Sequence, residues 1–276
     1  MTLQPLGSVA PTDLVKIRIA LHHAVQLIAS AGHNLAKPQP DDSHRSLQWE
    51  PELLAFRGVL LEGDFFVRVR AVEFIVELVK VDGQTFADLD LEYSPLIESL
   101  LVLQSFMPVP EGRRSFGFAQ LDPTLPDAEF MARSLDIGPL DHRTELALHY
   151  GHAYEILKGI CADETDAAPI RAWPHHFDIA TTLPGPAKGS TIGIGLSPGD
   201  ESYEEPYWYV RPSPLTPNAT EKALPKPWQW HTKGWTGMVL PMSRLFKAAT
   251  EKTRDSKVRA TLGDCIGIAQ ESVCGS

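Results

Sequence analysis

The chain has 276 residues, 43% hydrophobic, 22% charged and 8% aromatic, which is the profile of a globular protein with one large domain or two smaller ones. Twenty-five Lys and Arg against 35 Asp and Glu give a formal charge of −10, and a net negative field works against holding phosphates, so a nucleic-acid partner is not expected. No apolar run approaches the ~18 residues of a membrane-spanning helix, so no membrane partner is expected either.

The first ten residues, MTLQPLGSVA, lack the basic start and apolar stretch of a signal peptide. Cys161, Cys265 and Cys274 form no C-x-x-C pair and leave an odd one out. A disulfide framework is therefore not expected, and a reducing cytoplasm is the expected compartment. Ile160-Cys161-Ala162 closes an apolar helical stripe, which makes Cys161 an inert packed thiol rather than a nucleophile.

Residues 12–36 read as one amphipathic helix, with Leu14, Ile17, Leu21, Val25, Ile28 and Leu35 at three- and four-residue steps and Pro38 and Pro40 ending it. His22, Gln26 and His33 line up opposite that stripe, most simply as a solvated face. From about 45 to 91 the period changes to two. Phe65, Val67 and Val69 alternate with Arg68 and Arg70, Phe74, Val76 and Leu78 alternate with Glu73 and Glu77, and Asp82-Gly83 marks a tight hairpin. Ser94-Pro95 opens a helix to about Phe106. Residues 108–138 are rich in Pro, Gly and Asp and form a connecting segment.

A second long helix is expected from about 139 to 161, carrying Glu145, His149 and His152 in a narrow arc with His142 close by. Strands are expected at 170–183, 190–197, 206–211 and 234–240. Residues 212–227 hold five prolines and read as an irregular excursion. Helix returns from about Ser243, weakened by Gly263 and Gly267.

The fold class is therefore α+β: antiparallel sheets flanked by helices, read as a first half over 1–107, a connector over 108–138 and a second half over 139–276. Local sequence supports two similar helix–strands–helix halves. Ala20-Leu21-His22 recurs as Ala147-Leu148-His149, a Trp follows each (Trp49 and Trp173), and Leu91 to Leu96 has an echo in Leu240 to Leu245.

The densest chemistry is Trp173-Pro174-His175-His176-Phe177-Asp178. On a strand, His176 and Asp178 would share a face, and a carboxylate beside an imidazole suits a general base or a metal ligand. Five of the six tryptophans fall between 173 and 235, near His175, His176 and His231. In Glu205-Pro206-Tyr207-Trp208-Tyr209-Val210 the two tyrosines would lie on one face and Trp208 and Val210 on the other. There is no G-x-G-x-x-G, no P-loop and no G-x-S-x-G elbow, so no nucleotide cofactor has a visible anchor and the usual serine hydrolase is not expected. Gly193-Ile194-Gly195 lies in a strand pattern.

At Leu21-His22…Gln26, Phe177-Asp178-Ile179-Ala180 and residues 205–210 the chain resembles a bacterial domain family of unknown function. The resemblance covers residues 12–240, departs at 108–138 and 212–227, and implies one architecture without an activity.

The leading expectation is a small-molecule-binding protein. As an enzyme it would use His176 as general base oriented by Asp178, in a pocket drawn from Trp173, His175, Glu205, Tyr207 and His231, with His149 and His22 joining at the junction of the halves. A metal-dependent hydrolase is the alternative that adds a divalent cation on His176, Asp178 and His231. A non-catalytic interaction protein is the competing class.

Overall fold

The computed structural model describes residues 4–107 and 130–274. The architecture is α+β with two antiparallel sheets. By contacts the chain forms two units. The first comprises Leu14–Ala147 and Arg171–Phe177, and the second Thr2–Asp13, Leu148–Ile170 and Asp178–Ser276. Among the described residues no helix is long and apolar enough to cross a membrane.

In the first unit the expected single helix is two. A 3-10 turn at Pro11–Leu14 leads into α1 (Val15–Ala24), and after a break at Val25 the chain continues as α2 (Gln26–Leu35). Five strands follow: β1 (Gln48–Glu50), β2 (Ala55–Arg57), β3 (Phe65–Arg70), β4 (Ile75–Lys80) and β5 (Thr85–Asp90), paired in sequence order as a meander. The period-two pattern does what its spacing dictates. Phe65, Val67 and Val69 are buried, whereas Phe66, Arg68 and Arg70 alternate with them. On that outer face Arg68 lies opposite Glu77 in register and bonds it at 2.6 Å, with Glu50 at 3.3 Å on its other side. Gly83, at φ +89°, turns the β4–β5 hairpin as the Asp-Gly pair requires.

Helix α3 (Leu96–Phe106) starts at an extended Pro95. Most of the connector, 108–129, lies outside the described residues; after it Ser134 bridges to Pro95. Helix α4 (Leu140–Asp163) contains the boundary between the units at Ala147, and β6 (Arg171–Ala172) follows.

The second unit holds β7 (Ile179–Pro184), β8 (Thr191–Ser197), β9 (Tyr207–Ser213), β10 (Gln229–His231), β11 (Gly237–Pro241), α5 (Met242–Ala248) and α6 (Arg254–Gln270). The strands of this unit pair in the order β10-β11-β9-β8-β7. Strand β10 was not expected. It sits beyond β11, so the last two strands depart from the simple meander of the first sheet.

One face of this sheet is apolar. Ile179, Ile192, Ile194, Leu196, Trp208, Val210, Met238 and Leu240 are all at most 1% exposed. Helix α6 lies against β8 and β9 and supplies Val258, Leu262, Cys265 and Ala269. Burying the Trp208 ring alone is worth on the order of 4 kcal/mol. Gly263 and Gly267 have open space beyond Cα and leave α6 continuous, contrary to expectation. Cys161 is half-buried beside Thr181 rather than sealed in the core.

Candidate functional site

The Trp173–Asp178 segment is not a strand. Residues 174–176 form a turn, closed by a bond from the Phe177 N–H to the Trp173 carbonyl at 2.6 Å. Phe177 has φ +56°, a left-handed conformation that costs an aromatic residue about 1–3 kcal/mol and persists only where packing holds it. Here the ring is fully buried in the first unit, stacked on His22 at 5.0 Å and tilted against Phe56 at 5.2 Å. His22 and Gln26 supply the rest of the clamp. His22 Nε2 lies 2.8 Å from the Pro174 carbonyl, and the Gln26 amide donates to the same oxygen at 2.8 Å.

The row of His22, Gln26 and His33 is therefore not a solvated face. The first two are buried and only His33 is exposed. Burial, partly offset by the Pro174 bond, brings His22 down to about 3, so it is neutral and donates through Nε2–H. The turn displays a half-buried Trp173, a half-buried His175 and an exposed His176, whose ring lies 4.5 Å from that of His175. The ring of His176 makes no hydrogen bond to another described residue.

In the second unit the informative feature is the other face of the β7–β11 sheet. Registered partners in adjacent strands point the same way, so Ala180, Gly195, Tyr209, Val239 and Gln229 form one row across it, with Ser197, Tyr207 and Pro241 in a second. Asp178 precedes Ala180 by two and accepts a short hydrogen bond from the Tyr209 hydroxyl. Burial, then the Asp178 carboxylate, pushes the Tyr209 phenol well above its ordinary value, so at neutral pH it keeps its proton and donates.

This pair exists because β8 carries glycine at position 195. A Cβ there would stand 2.7 Å from the Tyr209 hydroxyl, 2.6 Å from the Ile179 carbonyl and 2.8 Å from the Ala180 Cβ. Tyr207 makes the parallel bond to Asp200 at 2.6 Å, and burial with Asp200 again raises its phenol. Asp200 also accepts from the Ser202 and Tyr203 backbone N–H groups.

His231 closes this face at β10. Its Nε2 faces the Lys233 carbonyl at 2.7 Å and its Nδ1 the Tyr203 hydroxyl at 3.1 Å. A carbonyl can only accept, so the neutral ring carries its proton on Nε2 and accepts from Tyr203. Both nitrogens are thus engaged, which leaves none for a metal. Among the described residues no three His, Cys, Asp or Glu side chains are grouped to hold a metal ion. His176, Asp178 and His231 are not members of any such group. Trp235 lies over His231 at 4.4 Å and edge-on to Tyr209 at 6.5 Å. Gly237, opposite His231 in the ladder, leaves room for it, since a Cβ would meet the Trp235 ring at 2.6 Å.

Two further expected residues have structural partners. Both carboxylate oxygens of Glu205 are bonded to Ser243, one to its N–H at 2.6 Å and one to its hydroxyl at 2.7 Å, which satisfies the start of α5. His149 is fully buried and stacked on Phe246 at 6.5 Å. Burial, then His152 and Arg254, brings it down to about 3, so it is neutral.

The sequence reading overlooked Tyr209, Trp235, Tyr203, Asp200, Gly195 and Gly237 as members of a site. The signals were present in the Tyr-x-Tyr alternation and in the paired glycines of β8. Compared with protein-family models, with curated proteins and with solved structures, the chain matches none, so no family membership is assigned.

Proposed function

We propose that this protein binds a small polar molecule on the polar face of the β7–β11 sheet. Asp178, Tyr209 and Trp235 are the recognition residues. The observation that carries this reading is the division of the sheet. One face is apolar core apart from Thr181, whose hydroxyl is spent on the Ala168 carbonyl, while the other gathers a carboxylate–phenol pair, a fixed histidine tautomer and two glycines that keep space for the aromatic rings. Sites for small molecules have this make-up of aromatic walls and a few placed polar groups. Trp235 is half-buried and its indole N–H bonds no other described residue, so it is a donor available to a ligand.

The reading is tested by a thermal-shift screen of metabolites, repeated on Tyr209→Phe and Asp178→Asn. A ligand at 100 times its Kd stabilises by about 2.7 kcal/mol. The true ligand should lose most of that shift in both variants, and hits that stabilise them as well as the parent would remove the assignment.

A second reading, an interaction module, is favoured by a separate observation in the first unit. Val81, Phe86, Tyr93, Ile97, Leu101, Val102 and Phe106 are all exposed, and Phe86 and Phe106 line a groove of about 630 Å³ with Phe65 and Lys80. Phe86→Ser with Phe106→Ser should leave the metabolite shifts intact if the groove is a separate surface. Loss of those shifts would place the ligand in the groove instead.

A further inference from the structure

His152 of α4, only 8% exposed, is held between two acceptors in the second unit. Its Nδ1 lies 2.7 Å from Asp255 Oδ2 on α6, and its Nε2 lies 2.8 Å from the main-chain carbonyl of Gln4. A carbonyl and an ionised carboxylate can only accept, whereas a neutral imidazole has one N–H. The two contacts therefore need a proton that neutral His152 and ionised Asp255 do not together possess.

We propose that His152 and Asp255 form a proton-dependent clasp on the N-terminal arm. While the extra proton is bound, His152 is an imidazolium and donates to both partners. When the proton leaves, the Nε2–H and Nδ1–H bonds cannot both survive, and the bond to the stronger acceptor, the carboxylate, is the one kept. The grip on Gln4 is lost.

The surroundings fit this division of labour. Facing the ring, α4 contributes neutral His149 one turn earlier, α6 contributes Arg254 and Asp255, and the described part of the arm contributes the Gln4 carbonyl. Arg254 bonds the Leu6 carbonyl and lies over the Phe246 ring at 3.9 Å. Its charge does not vary over accessible pH, so it pins the arm two residues further along in every condition. Gly7, at φ +110°, lets the chain pass directly over this guanidinium, where a Cβ would collide with it. The arm is thus fastened at Leu6 permanently and at Gln4 only while the proton is held. The sign follows from which state binds the proton. The contact at Gln4 is fully present on the acidic side and disappears as the pH rises through the pair's proton release.

Backbone ¹⁵N order parameters of Gln4 and Leu6 in the full chain at pH 6 and pH 9, beside the His152 ring proton shifts, test this. Gln4 should fall from about 0.85 to below about 0.6, the range of a flexible backbone, while Leu6 stays rigid. The change should follow the His152 titration. In His152→Gln, whose amide does not titrate, the order at Gln4 should be the same at both pH values. Asp255→Asn should make the Gln4 order independent of pH. A Gln4 order parameter that ignores pH in the parent, or that keeps the parent's pH dependence in His152→Gln, would overturn the clasp. Should a variant fail to fold, the parent alone decides, because Gln4 mobility must then track the His152 shifts or the proposal fails.

Discussion

Gly195→Ala offers the sharpest mechanical test of the second sheet. The added Cβ would lie 2.6 Å from the Ile179 carbonyl and 2.7 Å from the Tyr209 hydroxyl, closer than carbon approaches either atom. The clash with the Ile179 carbonyl strains the β7–β8 ladder, and the clash with the hydroxyl displaces Tyr209 from its bond to Asp178. Overpacking of this kind costs about 1–3 kcal/mol, and a hydrogen bond to a charged acceptor about 1.5–3 kcal/mol more. The sum is about 2.5–6 kcal/mol, and at a urea slope of about 2–3 kcal/mol per molar the unfolding midpoint should drop by about 1 M or more. Gly193→Ala is the internal control, two residues away on the same strand and face. Its nearest neighbours would be at 3.8 and 3.9 Å, an ordinary contact. Replacing a strand glycine there should be neutral or stabilise by about 0.5–1 kcal/mol. Urea unfolding followed by circular dichroism decides it. Equal midpoints for the two variants would show that Tyr209 does not occupy the space above Gly195, and the carboxylate–phenol pair would go with it.

Other consequences can be measured on the same protein. His22 and His149 are both brought to about 3 by burial, so their ring protons should show no titration between pH 8 and pH 4.5; a midpoint near 6.5 for either would contradict its burial. The linked stability has a definite sign. The unfolded chain takes up protons on these rings below about 6.5 while the folded one does not, so stability present at pH 7 is lost progressively toward pH 3, on the order of 4 kcal/mol for each ring. Glu205→Ala should cost about 1–3 kcal/mol in urea unfolding by stripping the cap from Ser243. No loss would mean that water replaces the carboxylate without penalty.

Much of the fold was legible because its causes are local. The alternation in Phe65–Arg70 names the buried face of β3, Asp82-Gly83 names the β4–β5 hairpin, and the prolines at 95 and 241 each open a helix from nearly the same extended conformation, ψ 142° and 143°. The echo between Leu91–Leu96 and Leu240–Leu245 thus marks a shared strand-to-helix turn, and His22 and His149 share both burial and a nearly parallel stack on phenylalanine. The sheets nevertheless differ in topology at β10 and β11.

The Trp173–Asp178 turn was not legible as a turn. It falls inside a stretch, 170–183, that reads as one strand, and what bends it is a clamp from His22 and Gln26, 152 and 148 residues earlier in the chain. The same distance effect hid the partner of Asp178, because Tyr209 reaches it across β8 only through the bare position at Gly195. Composition pointed to aromatic and histidine chemistry in this region. Register decided which of those side chains meet.

The assignment of ligand binding to the polar sheet face is tested most directly by the indole N–H resonances during titration with a thermal-shift hit. Trp228 and Trp230 donate to Thr261 and to the Lys222 carbonyl, whereas the Trp235 N–H has no described partner. The account predicts a saturable shift of the Trp235 signal with Trp228 and Trp230 unmoved. A ligand that binds the protein and leaves Trp235 where it was would contradict it.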